Sequence, residues 1–333
     1  MSDSSPTYLV TGGAGFIGSN LVAALAERRA RIVVCDYGDD AARRRNLAKR
    51  ELADWVAPPN LFAYLRDRGN SIDGVFHLGA ISSTTTTDWE LVVHQNYGVP
   101  LRLWDWCARR NVPLIYASSA ATYGGGEAGF DDDGSTEGLA KLTPLNPYGW
   151  SKHIFDRKVA EMVGNGEPAP GQWAGLKFFN VYGPNEYHKG GQRSVVPQIY
   201  EQIAGGGPAR LFKSHHPDYA DGGQRRDFIW VEDCVDVMLW LLDHPAVNGL
   251  FNCGTGRARS FEDVAVAVFK ALGKNADIEY VPTPENIRDK YQYFTEARME
   301  RLLAAGYDKT FTALEDGVRQ YVRDYLIQDD PFK

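Results

Sequence analysis

The chain has 333 residues, above the ~150 expected of one average domain, so it holds either two sub-domains or one large α/β domain. Its 44% hydrophobic and 24% charged residues exclude disordered and collagen-like chains. A net charge of −7 argues against nucleic-acid and anionic-membrane partners, so any bound phosphate has to be met locally by amides and a few Arg or Lys.

The opening, MSDSSPTYLV, has neither a basic n-region nor a long apolar h-region, and no stretch approaches 18 uncharged apolar residues. A cytoplasmic protein without a membrane span is expected. Tyr8-Leu9-Val10 predicts a first strand, TGGAGFIGSN a glycine turn, and LVAALAERR a helix. A second strand follows from Arg31 to Cys35 and ends at Asp36, completing a βαβ unit. Further β-like runs, GVFHLG (74–79), PLIYASS (113–119) and GLKFFNVYG (175–183), recur after helical stretches. That alternation predicts an α/β class: a doubly wound parallel Rossmann sheet with a smaller C-terminal α/β substrate-binding domain.

Residues 124–147 are rich in Gly, Asp, Ser and Pro and read as a loop, with Asp131, Asp132 and Asp133 solvated. Residues 183–193 (GPNEYHKGGQR) have the composition of a mobile binding loop. Beyond them QIYEQIA, VDVMLWLL and FEDVAVAVFKAL read as helices, and ARLFK, RDFIWV and DIEYVP as short strands. The expected division is 1–180 for the dinucleotide domain, with chain around 228–255 crossing back, and 181–330 mainly for the substrate. Cys35, Cys107, Cys234 and Cys253 form no CxxC pair and sit in apolar segments, as buried free thiols of a reducing compartment do. Thr84–Thr87 read as a polar turn, and Trp104 and Trp106 as core or subunit interface. His215-His216 lacks further ligands at metal spacing, so no metal site is expected.

Gly13-Ala14-Gly15-Phe16-Ile17-Gly18 is a GxGxxG, and Gly12, Gly15 and Gly18 also make a GxxGxxG. The early glycines allow a tight turn and close backbone approach to a pyrophosphate. Gly18 lets the helix pack on the strand, and the helix N-terminus offers N–H groups and positive dipole. Following a strand and opening a helix, this pattern points to dinucleotide binding. Asp36 fits a ribose 2′-OH, hence NAD; Arg43-Arg44-Arg45 fits either a solvated helix face or a 2′-phosphate, hence NADP. The residues alone leave NADP and NAD both open.

Tyr148 and Lys152 stand at i and i+4 on one helical face. A tyrosine near pKa ~10 is a poor base at neutral pH. A neighbouring ammonium and an oxidised nicotinamide would both favour the phenolate. Ser119, ending PLIYASS, can hydrogen-bond the same substrate oxygen.

TGGAGFIG, SSAATYG and NPYGWSK together resemble the extended short-chain dehydrogenase/reductase superfamily, which acts largely on nucleotide-linked sugars. GAISSTTTTDWE, YASSAATYGG, FFNVYGPNEYHKG, QRRDFIWVEDCVDV, LFNCGTGRARSF and KYQYFTEARMERLLAAGYDK resemble, more closely, the ADP-L-glycero-D-manno-heptose 6-epimerase family of lipopolysaccharide-core precursor synthesis. This resemblance spans residues 7 to about 323. It implies C6 epimerisation of an ADP-linked heptose with NADP, and a homo-oligomer, for which a pentamer is one form. It implies Ser119, Tyr148 and Lys152 as the shared centre and Lys189 as a second acid/base. Matching cofactor positions are Gly12, Gly15, Phe16, Ile17, Gly18, Asp36, Tyr37, Arg43, Leu78, Gly79, Ala80, Ile81, Ser82, Asn96, Lys152, Val181 and Lys189. Matching substrate positions are Ser119, Asn180, Gly191, Gln198, Phe212, Lys213, Ser214, His215, Arg226 and Tyr291, with Arg226 the natural diphosphate partner. The chain departs from the family at Gly191-Gln192-Arg193, where small residues and a methionine are usual, in the length of 124–147, and in lacking a basic residue near Pro58.

Three alternatives differ by identifiable residues. A 4,6-dehydratase needs an acidic pair where Ala120 and Ala121 stand. A UDP-hexose 4-epimerase shares the Tyr/Lys pair but has no need of the Lys189 loop. A non-catalytic nucleotide sensor would typically have lost Tyr148 or Lys152.

Overall fold

The computed structural model describes residues 5–333 apart from 39, 84, 85, 87, 289 and 290. In chain order its strands are β1 (Thr7–Thr11), β2 (Arg31–Cys35), β3 (Asp54–Val56), β4 (Gly74–His77), β5 (Leu114–Ser119), β6 (Trp173–Phe178), β7 (Asn180–Tyr182), β8 (Ala209–Phe212), β9 (Arg225–Trp230), β10 (Gly249–Cys253), β11 (Ala258–Ser260) and β12 (Ile278–Val281). Seven of them form one sheet in the order β10-β6-β5-β4-β1-β2-β3. Every pairing in it is parallel. Helices cover both faces of such a sheet, which is why its strands read as near-continuous apolar runs rather than alternations. Leu9, Val10, Val34, Val75, Phe76, Ile115, Leu176 and Phe251 belong to its core.

Strand order reverses between β1 and β4, and ligands of open α/β sheets bind outside the carboxyl ends of the strands at such a point. The glycine turn leaves β1 there, and residues 78–83 leave β4 beside it. Ser119 at the end of β5 and the helix Pro147–Gly164 complete that edge.

GLKFFNVYG is divided. β6 ends at Phe178, while β7 pairs with β9 in a separate sheet of order β11-β9-β7. β6 is buried almost throughout and β7 only at Tyr182, and the break lies in the different partners they meet. β8 and β12 pair in parallel. A second hydrophobic cluster joins these strands to the helices Val195–Ala204, Phe261–Ala271 and Leu314–Gln320 through Ile199, Leu211, Trp230, Val268 and Val318.

Two loop expectations are corrected. Asp132 is buried rather than solvated, because its carboxylate accepts the Asn252 amide at 2.7 Å and lies 3.8 Å from Arg301. The same segment carries a short helix, Thr136–Ala140, capped by Ser135. Residues 183–193 are not open loop: Tyr187–Gln192 winds into 3₁₀ turns. Glu186, fully buried, closes that segment by accepting from Gly183 N at 3.4 Å, from Ser194 Oγ at 2.7 Å and from Ser194 N. The four cysteines are free and buried, as their apolar settings predict. Of the polar turn expected over Thr84–Thr87, Thr84, Thr85 and Thr87 lie outside the described residues.

Candidate active site

The glycine turn is shaped by close backbone packing. Gly12 has φ +67°, and a Cβ there would stand 2.6 Å from Gly79 N; one on Gly18 would stand 2.1 Å from Gly12 O. Both positions therefore require glycine. The helix Phe16–Glu27 starts at Gly15 with no side-chain cap, so its first-turn amides and dipole face the carboxyl edge of the sheet as a phosphate cradle. These residues fit a dinucleotide.

Asp36 and Arg43, which the sequence sets in competition, are partners. Asp36 accepts Ala14 N at 3.0 Å, Tyr37 N at 2.8 Å and Arg43 Nη1 at 3.1 Å. Arg43 also pairs with Asp40 at 3.3 Å. Asn46, which sequence reasoning missed, donates to Ala14 O at 2.9 Å and Asn185 O at 3.1 Å. The segment holding Leu78, Gly79, Ala80, Ile81 and Ser82 is fixed at two points. Leu78 N and Gly79 N donate to the Thr11 carbonyl and hydroxyl. Asn96 exchanges hydrogen bonds with the Ile81 backbone at 2.8 and 2.9 Å and reaches Ser151 Oγ at 3.0 Å, which ties this segment to the Tyr148 helix.

That helix starts on Asn146, whose side chain accepts Gly149 N at 2.8 Å. A Cβ on Gly149 would lie 2.6 Å from Ala121 O, so glycine there lets Tyr148 come up against the end of β5. Burial holds the Tyr148 phenol above its ordinary value, and Ser119 beside it partly counters that. The net direction is upward, against the lowering expected from Lys152. Lys152 Nζ donates to Ala117 O at 2.7 Å, and burial takes its own pKa down to about 8.

Lys189 Nζ sits 5.5 Å from the centroid of the Phe16 ring, over the start of the cradle. Burial lowers its pKa, and Glu186 opposes that. Gln192 Nε2 donates to Ser83 Oγ at 3.0 Å, joining the two loops that flank the site. A further group gathers Arg226, Tyr291 and Phe212. Arg226 lies 5.6 Å from the Tyr291 ring and 5.8 Å from Phe261, and it donates to the Arg225 and Gln292 carbonyls. Phe212 meets Tyr291 edge-on at 6.2 Å. Lys213, Ser214 and His215 are placed through their amides, on Val281 O, Asp221 and Tyr293 Oη. Gln292 Nε2 bonds Gly124 O at 2.7 Å, which brings this group alongside the turn that follows Ser119. Asn180 is exposed at the start of β7 beside Val181, and Gly191 has open space around it. Gln198 points its amide into the chain, at Arg193 O and Ser194 O, and so braces the Lys189 segment.

Beneath Ser119 and Tyr148 lies a buried ion pair that sequence reasoning also missed. Asp156 accepts from Lys177 Nζ at 2.7 Å, Ser118 Oγ at 2.6 Å and Tyr116 Oη at 3.3 Å, and Lys177 also reaches Thr122 Oγ1 at 2.8 Å. Its signals were a lysine inside the apolar run GLKFF and an aspartate four residues after Lys152.

Residues 8–254 match the model of the NAD dependent epimerase/dehydratase family. The chain belongs to that family. The chain is an epimerase of this family with a nicotinamide cofactor. It is 48% identical over 328 residues to the ADP-L-glycero-D-manno-heptose-6-epimerase of Nitratidesulfovibrio vulgaris strain DP4, covering 98% of this chain and 99% of that one. The enzyme of the same name from Fusobacterium nucleatum is 44% identical, covering 97% and 99%. Among solved structures, the Helicobacter pylori ADP-L-glycero-D-manno-heptose-6-epimerase superposes with a TM-score of 0.78 at 27% identity, covering 97% of this chain and 98% of that one. A Thermus thermophilus UDP-glucose 4-epimerase in complex with NAD, at 24% identity and TM-score 0.73 over 94% and 96% of the chains, shares the fold. Among the described residues, no helix is long and apolar enough to cross a membrane.

Proposed function

We propose that this epimerase interconverts ADP-D-glycero-D-manno-heptose and ADP-L-glycero-D-manno-heptose by inverting C6 through a 6-keto sugar, with NADP. The observation that carries the reading is Lys189 over Phe16 at the mouth of the cofactor cradle, with Gly149 packed on Ala121 so that Tyr148 stands by the Ser119 end of β5. The cradle glycines and the amides of Phe16, Ile17 and Gly18 hold the pyrophosphate, and Asp36 with Arg43 meets the ribose end. A nicotinamide bound there supplies hydride acceptance and return at one carbon.

Inversion leaves the sugar oxygen on different sides for the two epimers, so two proton-transfer groups are useful. Tyr148 takes or gives the hydroxyl proton for one epimer, with Ser119 holding the oxygen. Lys189, whose pKa burial has lowered toward the working range, does so for the other. Burial favours the protonated Tyr148 phenol, and the positive charge that an oxidised nicotinamide would bring there, with Lys152, would favour its ionised form. Arg226, buried among aromatic rings, is suited to the substrate diphosphate. NADP is favoured because the Asp36 carboxylate is already engaged by two amides and Arg43, which leaves the guanidinium at the ribose end.

Tyr148→Phe and Lys189→Met each lower C6 epimerisation by orders of magnitude while cofactor binding persists. Near-wild-type activity in Lys189→Met would remove Lys189 and restore a single-base 4-epimerase reading. The same reading extends to a homo-oligomer, which light scattering returning a 37.0 kDa monomer would contradict.

A further inference from the structure

Residues 330–333 bind, at one point, two segments that the proposed function uses separately. Phe332 is buried, with 7% of its surface exposed. The Arg45 guanidinium stacks 4.3 Å from its ring centroid, and Tyr187 meets the same ring edge-on at 5.2 Å. Around that ring the backbone is clamped from both sides. Lys49 Nζ bonds Phe332 O at 2.5 Å and Asp330 at 2.9 Å. Tyr187 Oη donates to Pro331 O at 2.8 Å, and Lys333 N donates to Asn185 Oδ1 at 3.0 Å.

The two segments meet beside the cofactor cradle, one through Asn46 on Ala14 O and the other through Lys189 over Phe16. Arg45 ends the short helix Ala41–Arg45 that carries Arg43, Lys49 lies in the turn after it, and Tyr187 precedes Lys189 by two residues. Asn46 already joins them beneath, by its bonds to Ala14 O and Asn185 O and its 3.3 Å contact with His188. Its single amide does not reach Arg45 or Tyr187. The Phe332 ring does, and it offers each the face or edge that an aromatic group presents to a cation or a second ring.

We propose that Phe332 is a positioning residue, setting the Arg43–Arg45 turn and the Lys189 segment at the separation the cofactor and the sugar require. The proposal rests on the reading above, in which Arg43 selects the 2′-phosphate and Lys189 transfers a proton. Its contacts, among the described residues, are with Arg45, Tyr187 and Lys49 and not with the Arg226 group, so it acts on turnover and cofactor choice rather than on sugar-nucleotide binding.

The test uses the full chain with Phe332→Leu, Phe332→Ala and Phe332→Tyr, read against Lys189→Met. Leucine fills the space but has no ring, so a merely space-filling role would be preserved in Phe332→Leu. The expected result is a kcat about tenfold lower in Phe332→Leu and Phe332→Ala, with KM for the ADP-sugar unchanged, since small displacements remote from the chemistry cost that much or more. The NADP-to-NAD affinity ratio, measured by titration calorimetry, falls with it, and Phe332→Tyr keeps both. A Phe332→Leu variant equal to wild type in kcat and in affinity ratio overturns the proposal. So does loss in all three variants in proportion to the folded fraction. An active Lys189→Met defeats the functional reading on its own, and the affinity ratio then still reports on the Phe332–Arg45 stack.

Discussion

Lys177→Met breaks the ion pair beneath the site and tests whether burial there is as complete as the packing indicates. Both side chains of the pair have 0% exposure. With the ammonium gone, Asp156 keeps only the Ser118 and Tyr116 hydroxyls, and water has no access to it. Removing one partner of a fully buried pair costs about 3–5 kcal/mol, mostly the penalty on the stranded charge. At roughly 2 °C for each kcal/mol in a chain of this size, Tm falls by about 6–10 °C. The double variant Asp156→Leu/Lys177→Met removes both charges and recovers most of that loss, because well-packed apolar replacements of buried pairs are often neutral or stabilising. Urea unfolding with the slope held common, alongside thermal melts, supplies the free energies. A Lys177→Met protein melting within about 2 °C of wild type would refute the reasoning, since a stranded carboxylate cannot be so cheap without water.

Gly18→Ala forces a Cβ against the Gly12 carbonyl and is expected to cost at least about 1–3 kcal/mol and to abolish cofactor binding; unchanged nucleotide affinity by calorimetry would count against the cradle. Arg43→Ala is expected to weaken NADP about 10–100-fold, the worth of a charge-assisted bond, and NAD far less; equal weakening of both would undo the 2′-phosphate assignment. His77 is buried, and its pKa is taken down to about 3 from 6.5, chiefly by desolvation and further by Lys152. The unfolded chain therefore binds the proton first, so stability is lost as pH drops from 6.5 towards 3, at up to about 1.4 kcal/mol per pH unit. His77→Gln should flatten that acid limb, and an unaltered slope of urea midpoint against pH would show that another group sets it. Asp156 is the charge that holds Lys152 up against burial, so Asp156→Asn moves Lys152 below about 8; a pH–rate profile without any shift to lower pH would separate the two residues.

Much of the site was legible locally. The glycine turn could be read because its requirement is short-range: Gly12 and Gly18 are six residues apart and touch. The Tyr148 and Lys152 pair could be read because a helix repeats every 3.6 residues. The parallel sheet followed from apolar runs alternating with helical ones, which states that a strand is buried on both faces but not which strand lies next to it. That choice decided the rest. GLKFFNVYG splits because β6 meets β5 and β10 while β7 meets β9. Asp132, charged and flanked by two aspartates, reads as solvated until the Asn252 amide, 120 residues away, is found pointing at it. Lys177 pairs with an aspartate on another element, and Phe332 gathers Arg45 and Tyr187 from segments 287 and 145 residues distant in the chain. A side chain's type and its neighbours in sequence set what it can bond; only the folded arrangement sets which partner comes within reach, because bonding and burial act over a few ångströms of space and not along the chain.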